Sequence, residues 1–83
     1  MALPEAEIRS QVRRFICTEL MMQAGYPLED DESIIGGGLI DSFCLAHLGV
    51  FIEGAFDVYI PDSELTVENM DTLDQIVARV LRG

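Results

Sequence analysis

The dipeptide Asp41-Ser42 is the place where residue types and order in this sequence best fit a chemical site. Three glycines, Gly36 to Gly38, precede it, and an apolar stretch with helical spacing follows it. A phosphodiester on Ser42 Oγ would lie at a helix N-terminus, where unpaired N–H groups and the helix dipole favour an anion. Nothing in the sequence activates Ser42 as a nucleophile. The pattern favours Ser42 as a passive acceptor that another enzyme modifies, although Asp-Ser before a helix is usually a simple cap.

Two other groups of residues are candidates for a catalytic pair and for a calcium site, and both fit their chemistry poorly. Cys44 and His47 lie one helical turn apart and form a conceivable nucleophile and base, but no third group orients them. We expect Cys44 to pack and His47 to be exposed. Counted from Asp30 as a calcium loop, Ile34 stands where a ligand belongs and Ile35 where the glycine belongs. The sequence therefore predicts no catalytic residue and no metal site, and the acidic run is interpreted as a solvated surface.

Hydrophobic spacing predicts an all-α fold that positions Asp41 and Ser42. The expected elements are a first helix (residues 4–24), a long loop (28–40) and a second helix (41–56). A turn-rich connection (57–65), a single helical turn (66–69) and a last helix (72–81) follow. Either Asp41 or Ser42 is expected to cap the second helix. Thr72 and Gln75 fit a capping box at the start of the last helix. Apolar residues in the long loop predict that it folds back on the core.

The predicted second helix carries two apolar stripes. The first consists of Leu45, Leu48, Ile52 and Phe56, and the second of Phe43, Ala46, Val50 and, less regularly, Phe51. Full burial of a helix is difficult in a domain of 83 residues. One stripe is therefore a candidate contact surface, with a fully buried central helix as the alternative.

Length, charge and cysteine content limit the function classes. Residues 1–83 form one domain, with little room for an enclosed active site. The formal net charge is −10, and residues 29–74 contain no Lys or Arg, so nucleic acids and anionic membranes are poor partners. Such a field favours partners with a basic patch. Two cysteines, no signal peptide and no long apolar run predict a cytoplasmic protein with free thiols.

Two segments of the chain resemble the acyl carrier protein family. They are Leu39-Ile40-Asp41-Ser42-Phe43 and, about four helical turns later, Phe56-Asp57-Val58-Tyr59-Ile60-Pro61-Asp62. Family members have an Asp-Ser-Leu attachment motif and commonly a Phe-(Gly or Asp)-x-x-(Ile or Val)-Pro segment. The spacing matches without a gap, and the similarity extends from about Ile8 through Leu81.

The resemblance implies a four-helix bundle, three main helices and a short one, with a long first loop. It implies that a magnesium-dependent phosphopantetheinyl transferase attaches 4′-phosphopantetheine from coenzyme A to Ser42. Asp41 would help this transferase to recognise the site. The arm would carry acyl groups as thioesters, with no catalysis by the carrier. Other implied partners are an acyl- or aminoacyl-activating ligase or acyltransferase and a ketosynthase or other biosynthetic enzyme. The implied partner-binding face comprises Phe43, Ala46, His47, Val50 and Glu53.

The second helix differs from that of fatty-acid carriers, in which it is usually acidic. Here Cys44, Leu45, His47, Gly54 and Ala55 occupy positions that are often acidic or polar there. Residues 64–73 resemble the corresponding segment of stand-alone carriers of specialised metabolism. Both features favour a stand-alone, monomeric carrier that serves a polyketide or hybrid pathway. The alternatives are an aminoacyl or peptidyl carrier loaded by an adenylating ligase, an unmodified acidic interaction module, and a small cysteine hydrolase built on Cys44 and His47.

Overall fold

The structure, a computed structural model, describes residues 3–83. Its elements in chain order are α1 (Glu5–Phe15), a π-helical turn (Ile16–Leu20), α2 (Cys44–Phe56), a 3₁₀ turn (Asp62–Glu64), α3 (Val67–Met70) and α4 (Leu73–Arg82). The part of the chain described contains no β-strand. The predicted all-α, four-helix fold with a long first loop is confirmed. None of the described helices has the length and apolar character needed to cross a membrane.

Local sequence explains where α1 and α4 begin. Pro4 precedes the first residue of α1 with a φ of −64°, which suits its fixed ring geometry, and acidic side chains follow in the first turn. The start of α4 has the predicted capping box, because the Thr72 side chain accepts from Gln75 N–H and Gln75 reciprocates. The capping box of α4 satisfies N–H groups that would otherwise have no partner at a helix start.

The end of α1 differs from the sequence prediction. The α-helix does not run unbroken to Ala24 but widens after Phe15 into a π-helical turn, in which the N–H of Met21 donates to the carbonyl of Ile16 at 2.8 Å. Such turns occur at few positions and often near functional sites. Leu20, the last residue of this turn, lies half-buried beside the first loop.

One hydrophobic core holds the helices together. α1 packs against α4, and α2 contributes Leu45, Leu48 and Ile52 to the same core. The most deeply buried large side chains are Val12, Ile16, Ile34, Leu48, Ile52, Met70, Leu73, Ile76 and Val77. Ile34 belongs to the first loop, and with Leu28 it confirms that this loop folds back on the core. Fixing the loop in this way fixes the chain that leads into Ser42.

Candidate functional site

Ser42 lies in the turn before α2, with an exposed side chain. The Asp41 carbonyl accepts from the N–H of Cys44 at 3.1 Å, and the Ser42 carbonyl accepts from that of Leu45 at 3.2 Å, so the turn leads directly into the helix. Among the described residues, Ser42 Oγ has no hydrogen-bond partner. The hydroxyl is therefore available to an external enzyme.

Asp41 makes the capping hydrogen bond that the sequence predicts for Asp41 or Ser42. Its Oδ1 accepts from the N–H of Phe43, two residues along the chain, at 3.0 Å. Phe43, the residue before the regular helix, makes no side-chain capping hydrogen bond. The cap therefore lies in the turn that leads into α2. It leaves Ser42 outside the helix and free of a structural role there.

The glycines before the site are needed for the course of the loop. Gly38 has a φ of +83°, in the left-handed region that side chains rarely adopt. A Cβ on Gly37 would lie 2.2 Å from the carbonyl oxygen of Ser33, which no packing adjustment accommodates. The N–H of Gly38 donates to the carbonyl of Ile35 at 3.0 Å and closes this turn. The turn directs residues 39–41 toward the start of α2.

Asp71, between α3 and α4, anchors the loop from behind. Its carboxylate accepts from Ser33 Oγ at 2.5 Å, from Ile35 N–H at 2.7 Å and from Gly36 N–H at 2.9 Å, and its carbonyl accepts from Ile34 N–H at 2.7 Å. Burial raises the pKa of the Asp71 carboxyl, but these side-chain and backbone donors outweigh it, and the net pKa is lowered. Sequence reasoning missed this contact, since no local pattern marks it.

A second anchor consists of arginines on α1. Arg13 donates to the Leu28 carbonyl at 3.1 Å and pairs with Asp30 at 2.5 Å. Arg9 pairs with Asp30 at 3.2 Å and with Asp74 on α4 at 2.6 Å. Its hydrogen bonds to acidic side chains, Glu5 first, raise the pKa of the Arg9 guanidinium. These two arginines therefore connect the loop to both α1 and α4.

A cleft of about 660 Å³ lies beside Ser42, which forms part of its rim with Asp41. Its apolar walls are Leu20, Ile35, Leu39, Ile40, Cys44 and Val67. These side chains come from the π-helical turn, the first loop, α2 and α3. The sequence did not predict the cleft, because it depends on four segments that meet only in the folded chain.

The proposed partner-binding face is exposed on α2. Phe43 is 85% exposed and Val50 is 73% exposed, so this face carries two large apolar side chains that nothing in the described structure covers. The exposed side chains of the predicted set are Phe43, Ala46, His47, Val50 and Glu53. Phe51 belongs instead to the bundle: its ring stacks on Phe15 with centroids 4.1 Å apart. The second apolar stripe of α2 therefore includes an uncovered surface, but without Phe51.

Cys44 and His47 do not form a catalytic pair among the described residues. Cys44 is half-buried at the cleft, whereas His47 is exposed on the outer face of α2. The other thiol, Cys17, is buried in the core, and that burial raises its pKa, so it is a poor nucleophile. No group of three or more potential metal ligands is present within residues 3–83.

The geometry of the site fits a group attached to Ser42 better than chemistry performed by Ser42. Within residues 3–83 no side chain is hydrogen-bonded to the hydroxyl as a base would be, while the hydroxyl is accessible and has a fixed position at the rim of an apolar cleft. A phosphodiester there would remain in solvent, and a chain attached to it would have room along the cleft. The residues present therefore fit a covalently attached phosphopantetheine arm.

Curated proteins similar to this chain are carrier proteins. The chain is 40% identical over 50 residues to the D-alanyl carrier protein of Lactococcus lactis subsp. cremoris (strain MG1363), and 38% identical over 50 residues to that of Lactobacillus acidophilus (strain ATCC 700396 / NCK56 / N2 / NCFM). No model of a known protein family matches, and no solved structure does.

The aligned region covers 60% of this chain and 63% of the length of these relatives. The similarity is thus partial, but it agrees with the four-helix fold and with the resemblance of residues 39–43 and 56–62 described above. Sequence motif, fold and relatives therefore agree in one respect: the chain is similar to small carrier proteins of the acyl carrier and peptidyl carrier type.

Proposed function

We propose that this protein is a carrier that bears 4′-phosphopantetheine on Ser42 and catalyses no reaction itself. The observation that supports the proposal is the exposed Ser42 hydroxyl, which has no hydrogen-bond partner among the described residues and stands at the start of α2. The arm, when attached, supplies a thiol that holds cargo as a thioester. Ser42 provides the attachment oxygen, and Asp41 holds the turn through the N–H of Phe43.

The cargo best supported is an aminoacyl group, loaded by an adenylating ligase. The named relatives are D-alanyl carrier proteins, which makes D-alanine the first candidate. They give no support to the polyketide or hybrid pathway and its ketosynthase. Packing of α2 also favours a small cargo held outside the bundle: Leu65 lies so close to Gly49 that a Cβ there would be 2.9 Å from Leu65 Cδ1. The space between α2 and the segment before α3 is thereby filled.

The partners of the carrier are proposed to bind the outer face of α2. This surface combines Phe43 and Val50 with a single acidic residue, Glu53, in a protein of net charge −10. Long-range attraction would steer a basic partner, and apolar contact with Phe43 would then hold it. The transferase would make the first such contact, because Ser42 and Phe43 are adjacent.

The attachment site is tested by intact-mass analysis. Protein freed of any arm is incubated with coenzyme A, magnesium and a promiscuous phosphopantetheinyl transferase. We expect one phosphopantetheine to be added to the wild type and none to Ser42→Ala. The matched control is Ser63→Ala, since Asp62-Ser63 is a second exposed Asp-Ser pair and should load normally. Circular dichroism checks that each variant is folded. Absence of any gain on folded wild type would favour an unmodified interaction module.

The cargo is tested on the arm-bearing protein. It is offered, in separate reactions with ATP and the corresponding adenylating ligases, D-alanine, L-alanine, other amino acids and short carboxylic acids. The proposal expects thioester formation with an amino acid, D-alanine first, measured as the mass added to the arm. Loading by carboxylic acids alone would instead support the hypothesis of an acyl carrier.

A further inference from the structure

We propose that the cleft beside Ser42 holds the first part of the phosphopantetheine arm, so that Cys44 is covered in the arm-bearing protein and open in the arm-free protein. The inference rests on the proposed function, since it requires an arm on Ser42. It concerns where the arm lies when no partner enzyme is bound.

The position of Ser42 determines the first contact. Ser42 and Asp41 form the rim of the cleft, and its apolar walls include Ile40, directly before this pair, and Cys44, two residues after Ser42. A chain attached to Ser42 Oγ therefore starts at the mouth of the cleft. Attachment makes the encounter intramolecular, which raises the effective concentration of the arm at the cleft to the millimolar range, about 10⁻³ M or more.

The chemistry of the arm matches the walls of the cleft. Beyond its phosphate, phosphopantetheine is uncharged, and its first carbons carry two methyl groups. The walls offer apolar side chains that are still partly in contact with water, namely Leu20, Leu39 and Val67, of which Val67 is 39% exposed. Covering such surface is favourable. The phosphate itself remains at the rim, because the Asp41 carboxylate and the acidic surface disfavour its burial.

The cleft differs from the outer face of α2 in its shape and in its position next to Ser42, and these properties indicate its occupant. Phe43 and Val50 on that face project into solvent and offer no concave wall. The cleft is concave and adjoins the attachment oxygen. A partner's side chain is the alternative occupant, but in the absence of a partner the tethered arm is the group that reaches the cleft.

Cys44 provides a reporter that already exists in the chain. It lines the cleft and is half-buried, whereas Cys17 is 2% exposed in the core and serves as an internal control. The arm is attached from acetyl-coenzyme A, so that its own thiol is blocked. Iodoacetamide is then added to arm-free and arm-bearing protein at one pH, and alkylation of each cysteine is followed by peptide mass analysis.

We expect alkylation of Cys44 to slow several-fold when the arm is present, with Cys17 slow in both forms. An unchanged or increased rate at Cys44 would overturn the inference. Intact mass, measured in parallel, separates the two proposals. A protein that gains the arm without protection of Cys44 refutes only the position of the arm, whereas a protein that gains no arm refutes both.

A substitution in the cleft wall distinguishes apolar contact from simple crowding near Ser42. Val67→Asp introduces a charge into the cleft and, at the first residue of α3, suits a helix start. We expect this variant to accept the arm but to lose the protection of Cys44. The matched control, Met22→Asp, changes an exposed apolar residue outside both the cleft and the outer face of α2 and should retain protection. Protection that persists in Val67→Asp would contradict an apolar seat for the arm.

Discussion

The two segments that flank Ser42 are held in different ways. The first loop, residues 28–41, is attached by polar contacts: Asp71 accepts from Ser33 and from two backbone N–H groups, and Arg13 pairs with Asp30. α2, on the other side, is held by its buried apolar face and leaves the opposite face uncovered.

This difference assigns distinct tasks to the two segments. Directional hydrogen bonds fix the course of a loop that has no regular backbone pairing of its own. Apolar burial holds a helix without restricting what its outer face contacts. The loop therefore fixes the position of Ser42, and α2 provides the exposed surface beside it. The following predictions test this division through the free energy of unfolding.

The largest effect is expected from the buried face of α2. Leu48 is 1% exposed, and Leu48→Ala should lower the free energy of unfolding by about 3 kcal/mol because it leaves a cavity. The matched control on the same helix, Val50→Ala, removes an exposed side chain and should change stability by less than about 0.5 kcal/mol. Urea unfolding followed by circular dichroism measures both. If Leu48→Ala is too unstable to study, Ile52→Val should still cost about 1 kcal/mol. Equal effects of Leu48→Ala and Val50→Ala would contradict the two-faced helix.

The next largest effect is expected at the anchor of the loop. Asp71→Asn removes the charge that the donors of Ser33, Ile35 and Gly36 stabilise, and should lower the free energy of unfolding by about 1.5 kcal/mol near neutral pH. The folded state lowers the pKa of Asp71, so its contribution is fully present above the ordinary carboxyl pKa of about 4 and is lost as pH falls through the lowered value.

The measurement is the difference in unfolding free energy between wild type and Asp71→Asn as a function of pH. Acidification also reduces the repulsion among the other acidic residues, which both proteins share. Taking the difference between the two proteins removes this common effect. The difference should be constant near neutrality and shrink below pH 4, while the cost of Leu48→Ala stays the same. A pH-independent cost of Asp71→Asn would mean that the loop is not held by the ionised carboxylate.

The features that could be predicted from sequence are those encoded locally. The capping box of Thr72 and Gln75, the single turn of α3 and the apolar face of α2 each depend on residues within a few positions of one another. Ser42 could be singled out for the same reason, since the glycines, the Asp-Ser pair and the following helix are adjacent in the chain.

The anchors of the site could not be predicted, because they join distant residues. Ser33 and Asp71 are separated by 38 positions, and Arg9 and Asp74 by 65. A charged residue in an acidic sequence gives no sign of which donors it will meet after folding. The residue at which α2 begins could not be predicted either, since Asp41 makes the expected capping bond to Phe43 but the regular helix starts only at Cys44.

The smallest effect concerns two glycines on α2 whose surroundings differ. Gly54 is exposed, and a Cβ added there would have no atom within 4 Å, so Gly54→Ala should stabilise the protein by about 1 kcal/mol through helix propensity. At Gly49 the same gain is opposed by Leu65, whose Cδ1 would lie 2.9 Å from the new Cβ. Gly49→Ala should therefore be less stable than Gly54→Ala.

A double-mutant cycle separates contact with Leu65 from any other property of Gly49. In a Leu65→Ala background the obstacle is absent, and Gly49→Ala should become stabilising, as Gly54→Ala is in both backgrounds. If Gly49→Ala stabilises the wild type as much as Gly54→Ala does, Leu65 does not fill the space beside α2. A passage into the bundle would then be open to a long acyl chain, and the argument for a small cargo held outside would lose its structural support.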